Sequence, residues 1–432
     1  MHQPESLISD MPSHRHAAQA AGFSGVLRVR EFRLLWFADM QSLLGDQLAR
    51  VALSVLVYDR TGSGLATAGV YALSFLPALF GSMLLGPLAD RLPRRALLVG
   101  GDVARALLLA VMALPSVPVP ALAALLVVAV LVGSPWSAAE NALVADILAD
   151  EEYVLGSGLR TATVQAAQLV GFALGGVAVA AIGIRPALAL DAATFLVSAI
   201  VIRLGVRARP AAQARGRVGD SGHGWLSGAS AVFHDARLRQ LLGFTWLLGV
   251  LVVPEGLAAP YAYVLGGGPR TVGLLLAALP AGVLVGSIVF ARSLSPATRA
   301  VLVGPLAIAA GVPLIAINGT PPLPVTVLLL ATTGLCTAYQ IQVIAEFVRT
   351  ISPSIRGQGI SLASGGLLAA QGVGLVGGGA LTQLLSPGTA IAVAGSLATA
   401  IAASLAVARH RSVPRPPEEA GGGLASERYP GP

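Results

Sequence analysis

Asp39, Asp46 and Arg50 stand seven and four residues apart inside one long apolar run. On a helix that spacing puts all three within about 20° of a single face. Ionisable groups at membrane depth are costly and usually face a cavity, where they handle protons, ions or polar ligands. Asp46 falls near mid-run with Arg50 one turn further on, which suits either a proton- or ligand-handling pair or an internal ion pair that steadies the fold. For Asp39, nearer the start of the run, the spacing favours packing. Glu255 lies in Pro254-Glu255-Gly256-Leu257-Ala258-Ala259-Pro260. Two prolines and a glycine break a helix there and free backbone groups that must find water or protein. An acid at such a break, among Val, Leu and Ala and with no basic residue within a turn, is suited to exchange a proton. Glu255 is therefore the first choice for a proton site and Asp46 the second. Asp102 with Arg105 reads as a structural pair, Asp191 with Thr194 as groups that satisfy backbone near a helix end, and Glu346 with Arg349 as gate or interface residues.

The elements that must position these groups follow from composition. The 432 residues are 55% hydrophobic and 11% charged, with a mean hydropathy of +0.77. Soluble domains carry about 25% charged residues, so the composition is that of an all-α polytopic membrane protein. A span needs about 20 apolar residues. Twelve such transmembrane helices are expected, near 34–57, 66–88, 96–114, 120–139, 160–183, 186–206, 240–264, 271–291, 299–317, 324–348, 358–384 and 388–408.

All 28 basic residues are arginine, and the formal net charge is +7. Their placement argues against a nucleic-acid partner. With an even number of spans both termini share a side, and 23 arginines fall on that side against three, Arg60, Arg185 and Arg270, on the other. Arginine-rich short loops are cytoplasmic, so the termini are expected inside and the partner surface is the lipid bilayer. The six histidines, His2, His14, His16, His223, His234 and His410, all fall in tails or the central loop, which leaves no buried histidine for a metal site or proton relay. Cys336 has no partner for a disulfide, no phosphate-binding loop is present, and no cofactor is expected. Gly372-Val373-Gly374-Leu375-Val376-Gly377 fits a dinucleotide fingerprint in letters only, since it lies inside an apolar helix where small residues serve packing.

An internal repeat divides the chain. Ala166-Ala167-Gln168, Gly171, Gly175 and Gly176 recur as Ala369-Ala370-Gln371, Gly374, Gly378 and Gly379, offset by 203 throughout, and Gly156 matches Gly359. The expected organisation is a tail over 1–32, a six-helix bundle over 33–206, a linker over 207–239, a second bundle over 240–408 and a tail over 409–432. Parallel repeats of this kind place a site between the two halves near mid-membrane, and the six glycines are expected to be helix-packing positions.

One polar decapeptide, Gly86-Pro87-Leu88-Ala89-Asp90-Arg91-Leu92-Pro93-Arg94-Arg95, sits between two spans. It resembles the signature loop of the major facilitator superfamily, with Pro93 where the second glycine of that pattern stands. Phe32-Arg33-Leu34-Leu35-Trp36, Leu44-Gly45-Asp46-Gln47, Gly171 to Gly176 and Leu190-Asp191-Ala192-Ala193-Thr194-Phe195 are similar to the branch containing enterobactin exporters and macrolide efflux proteins. The antiporter motif of the fifth helix is present with Phe172 in place of its proline. The resemblance implies two parallel six-helix halves, alternating access, and a monomer that moves a small-molecule substrate, with protons as the coupling ion and export as the direction. It also implies a cytoplasmic gate made of Gly86, Asp90, Arg91, Arg94, Arg95 and Glu140, with Arg94 paired to Glu140 and Asp90 facing the start of the eleventh helix. An importer on the same fold is the alternative. A non-transporting receptor or an intramembrane enzyme would require an output domain or a nucleophile–base constellation, neither of which the sequence suggests.

Overall fold

The computed structural model describes residues 23–148, 150–209 and 225–412. Most of the expected tails, and residues 210–224 of the central linker, lie outside the described residues. The long helices are α1 (Arg30–Thr61), α2 (Gly64–Ala72 continued by Leu76–Leu84), α3 (Arg94–Met112), α4 (Val119–Ile147), α5 (Asp150–Ile182) and α6 (Ile184–Gly205). After the linker come α7, in four pieces (Ala236–Trp246, Leu248–Leu251, Val253–Gly256 and Ala258–Val264), α8 (Pro269–Ser293) and α9 (Pro296–Ala316). The chain ends with α10 (Leu323–Cys336 continued by Tyr339–Thr350), α11 (Arg356–Leu381) and α12 (Pro387–Ser412).

Ten helical stretches among the described residues are long and apolar enough to cross a membrane. The two long helices outside that set, α1 and α3, are the ones that carry Asp39, Asp46 and Arg50, and Asp102 and Arg105. Local chemistry sets where helices start and break. Ser63, Asp235 and Ser295 cap α2, α7 and α9 by accepting backbone N–H groups at 2.8–3.2 Å. Pro254 and Pro260 lack the N–H that a continuous helix would use, and α7 is interrupted around both, as the sequence suggests. The chain reverses after α1 at Gly62, whose φ of 60° favours glycine.

Helices α1 to α6 pack chiefly on one another: α1 on α5 and α6, α3 on α4 and α6. In the second group α9 packs on α12, α8 on α10, and α7 on α11. The two groups meet through α5 against α8 and α2 against α11.

The repeated glycines occupy equivalent places in this packing. A Cβ on Gly171 would meet Gln47 of α1 at 2.7 Å, and one on Gly374 would collide with the carbonyl of Gly249 in α7. Gly175 abuts Leu48 of α1 and Gly378 abuts Val253 of α7. Gly176 and Gly379 instead face the other group: a Cβ on Gly176 would lie 2.7 Å from the Pro269 carbonyl of α8, and one on Gly379 2.8 Å from Ala68 of α2. Close backbone approach through small residues is how helices associate where lipid supplies no hydrophobic drive.

Candidate functional site

A cavity of about 680 Å³ lies between the two helix groups. Its walls are Arg50 of α1, Phe75 beside α2, Gly158 to Phe172 along α5, Leu248 to Glu255 along α7, Leu279 to Ser287 of α8, Thr337 to Ile344 of α10 and Gln371 of α11. These positions run from mid-helix toward the arginine-rich end of the bundle. At the opposite end the groups are closed on each other. Gly176 meets Gly273, Gly64 meets Thr382, Tyr263 donates to Asp59, and the Tyr58 and Tyr263 rings lie 5.0 Å apart.

Glu255 projects into this cavity from the broken stretch of α7. It accepts a 2.7 Å hydrogen bond from the phenol of Tyr71 in α2, so the contact joins the two groups. Arg50 lines the same cavity, and its guanidinium lies 6.0 Å from the centroid of each of the Tyr71 and Phe75 rings. An Asp46–Arg50 ion pair, one of the two readings of their spacing, is not formed, and Arg50 turns toward these two aromatic faces. Nor is Glu255 remote from positive charge. The cation that shares its cavity comes from α1, which spacing along α7 alone cannot reveal.

A second cavity of about 210 Å³ lies within the first group, lined by Asp46, Arg50, Ser54, Tyr71, Arg105 and Asp191 among others. Arg50 borders both. Asp191 is fully buried, its carboxylate held at Oδ1 by Thr194 while Oδ2 has no partner. Gly45 makes room for it, since a Cβ there would collide with Asp191 and Thr194. Asp191 thus belongs to an interior polar cluster with Asp46, and the expected role of satisfying backbone at a helix end does not describe it. Asp102 and Arg105 do pair, at 2.6 Å, with Ser198 donating to Asp102 at 2.6 Å. The Arg105 guanidinium sits 4.2 Å from the Phe195 ring centroid and 4.8 Å from that of Trp136, a desolvated and well-held cation. Asp39 is buried close to the start of α1, with 6% of its surface exposed.

The decapeptide contains a single helical turn, Leu88–Arg91, which follows α2 in the chain and packs on α4 and α3. Gly86 is required there, because a Cβ would strike the Ser82 carbonyl. Two expected gate contacts are not formed in this conformation. Arg94 does not reach Glu140: it bonds the Ala142 carbonyl at 2.9 Å and Asp146, two and six residues further along α4, while Glu140 is taken by Arg160 of α5 and is 2% exposed. Asp90 is exposed and its side chain makes no hydrogen bond or ion pair among the described residues, so its expected contact with the start of α11 is absent. That absence accords with a cavity open at this end. Arg95 donates to the Val206 carbonyl at 3.3 Å, tying the loop to the end of α6, and Arg91 is exposed. Glu346, expected at a gate or interface with Arg349, instead binds Arg237 at 2.8 Å and Arg409 at 2.7 Å, which joins α7, α10 and α12.

Residue spacing missed Tyr71, Asp146 and three glutamines of the large cavity, Gln165, Gln168 and Gln371. For Gln168 and Gln371 a signal was present. They are the glutamines of the two repeated Ala-Ala-Gln triplets, and both face the cavity.

Apolar helices that can cross a bilayer, with a partly polar cavity between two packed groups, define a membrane transporter. Residues 35–338 match the Major Facilitator Superfamily, and the chain belongs to that family. The multidrug efflux pump Tap of Mycobacterium tuberculosis is 26% identical over 382 residues, covering 81% of this chain and 86% of Tap. YkuC of Bacillus subtilis, an uncharacterized MFS-type transporter, is 29% identical over 181 residues, 41% of this chain and 42% of YkuC. The same fold occurs in a POT family transporter solved in complex with 5-aminolevulinic acid, with a TM-score of 0.69 at 12% identity, covering 88% of this chain and 96% of that one.

Proposed function

We propose that this chain is a proton-coupled exporter of a small organic compound. Twelve spans form two six-helix halves, residues 33–206 and 240–408, which rock against each other around the central cavity. The arginine-rich end is cytoplasmic and carries both termini, so the conformation described here is open to the cytoplasm and closed outside. The observation that carries the reading is the cavity itself, with Glu255 held across the two halves by Tyr71 and with Arg50 beside it. An acid reached by water from one side in one conformation and from the other side in the next is what proton coupling requires. Glu255 meets the first half of that condition, since it faces the open cavity. Asp46, in the adjoining cavity beyond Arg50, is the second candidate, and Asp39 lies deeper in the first half as a supporting group. The Gly86–Arg95 turn, with Asp90 released and Arg94 anchored, is the cytoplasmic gate in its open position. Export as the direction draws on the similarity to Tap along most of both chains. Inside-out membrane vesicles energised to an acid interior test the reading: they should accumulate a substrate to which the expressing cells are resistant. Accumulation that is indifferent to the pH gradient would remove the proton, and movement out of such vesicles would reverse the direction.

A further inference from the structure

Several polar groups of the large cavity are already engaged. Tyr71 holds Glu255, Gln340 donates to the Phe244 carbonyl at 2.8 Å, and Thr337 to the Gly334 carbonyl at 2.6 Å. Five are not. Gln165, Gln168, Gln371 and Ser287 make no side-chain hydrogen bond with another described residue, and Arg50, which lies against Tyr71 and Phe75, forms no ion pair with a carboxylate among them. Gln168 and Gln371 come from opposite helix groups and are related by the repeat, so they present amides to one cavity from its two sides. The remaining surface is predominantly apolar, including Phe75 and Phe172. Hydrogen-bonding groups left open in a half-buried apolar wall are costly unless water or a ligand fills them, and few well-placed polar groups on an apolar lining are how ligand sites achieve orientation.

We propose that the large cavity is a site for an amphipathic organic anion: a carboxylate pairs with Arg50, an apolar body lies along Phe75 and Phe172, and a polar edge is read by Gln168 and Gln371. Arginine supports this assignment because its planar fork matches a carboxylate with two parallel hydrogen bonds, and the cavity's one acid, Glu255, already accepts from Tyr71 at one carboxylate oxygen. A cationic substrate would have to bind Glu255 while lying near the Arg50 guanidinium, which repels it. The inference rests on reading the chain as a transporter, but it concerns binding and needs no gradient.

The test is calorimetric titration of the purified, detergent-solubilised full chain with 2-naphthoxyacetate, its neutral amide and 2-naphthoxyethylamine. The acid should bind at least about tenfold more tightly than either analogue, the margin expected for one charge-assisted pair. Arg50→Gln should erase that margin, and Arg50→Lys should keep part of it. Gln168→Leu and Gln371→Leu should each weaken the acid several-fold without changing its preference over the amine. Equal or tighter binding of the amine or amide, an acid preference that survives Arg50→Gln, or no saturable binding of the acid would each overturn the proposal. A wild-type protein that prefers the acid but moves nothing in vesicles would sink the transport reading and leave this one standing.

Discussion

The phenol of Tyr71 donates to Glu255 across 2.7 Å, so one helix group holds the acid of the other. A hydrogen bond to a charged partner contributes about 1.5–3 kcal/mol, less where water replaces it. Tyr71→Phe should therefore leave folding and substrate binding in place and slow pH-driven transport roughly tenfold. Downhill exchange should fall much less. Initial rates in proteoliposomes, with and without an imposed gradient, decide this. Equal slowing of both modes would mean that Tyr71 acts on the rocking motion and not on the acid.

Arg94 is anchored on Asp146, and Glu140 on Arg160. Groups in direct contact show coupling of about 0.5–3 kcal/mol in a double-mutant cycle, and separate pairs add. Arg94→Ala and Asp146→Asn should accordingly be non-additive in thermal stability in detergent, while Arg94→Ala and Glu140→Gln should add. Strong coupling between Arg94 and Glu140 would show that the pairing changes in the membrane.

The closed end depends on backbone contact. A Cβ on Gly176 would lie 2.7 Å from the Pro269 carbonyl and 2.8 Å from the Gly273 Cα, neither of which can swing aside like a side chain. Gly176→Leu should force α5 and α8 apart at that end. In a Cys336→Ala background, a cysteine introduced by Tyr263→Cys should then react several-fold faster with a membrane-impermeant maleimide applied outside. An unchanged rate would place the closing contact elsewhere.

At the arginine-rich end, Glu31 accepts from Arg209 at 2.9 Å and from the Arg207 backbone N–H at 2.9 Å. Burial works to raise its pKa, but the Arg209 hydrogen bond, the Arg207 hydrogen bond and the two positive charges outweigh it, and the net shift is downward from 4.5. A carboxylate lowered on folding stabilises above its unfolded pKa and loses that contribution as pH falls through the folded value. Glu31→Gln should lower the unfolding temperature at neutral pH, and the difference from the native chain should close as the pH drops below the ordinary carboxylate range. A difference constant with pH would mean that packing, not charge, is what Glu31 supplies.

Much of this was legible in the chain because it follows from local rules. Hydropathy marks the long helices, the Pro254–Pro260 stretch marks the break in α7, and the 203-residue offset marks glycines that occupy matching contacts in the two groups. What stayed hidden depends on which faces meet. Glu140 and Asp146 are six residues apart on α4, so they point about 120° from each other, and nothing in their spacing tells which one α3 will face. Arg50 could be matched to Asp46 along its own helix, but its actual neighbours, Tyr71 and Phe75, come from the next one. Asp191 looked peripheral by its distance from a helix end. The glycine that lets it sit against α1, Gly45, is in another helix altogether.

Proton coupling through Glu255 is the central claim, and one comparison tests it most directly. Glu255→Gln and the native chain are reconstituted into proteoliposomes, and each is assayed for accumulation of substrate against its own gradient under an imposed pH difference. Downhill exchange of the same substrate is measured alongside. Glu255→Gln should lose accumulation while retaining most of the exchange, because amide nitrogen and oxygen fill the carboxylate's place but cannot carry a proton. Accumulation at the native level in Glu255→Gln would contradict it and move the coupling site to Asp46, and the same outcome in Asp46→Asn would leave the chain without proton coupling at either acid.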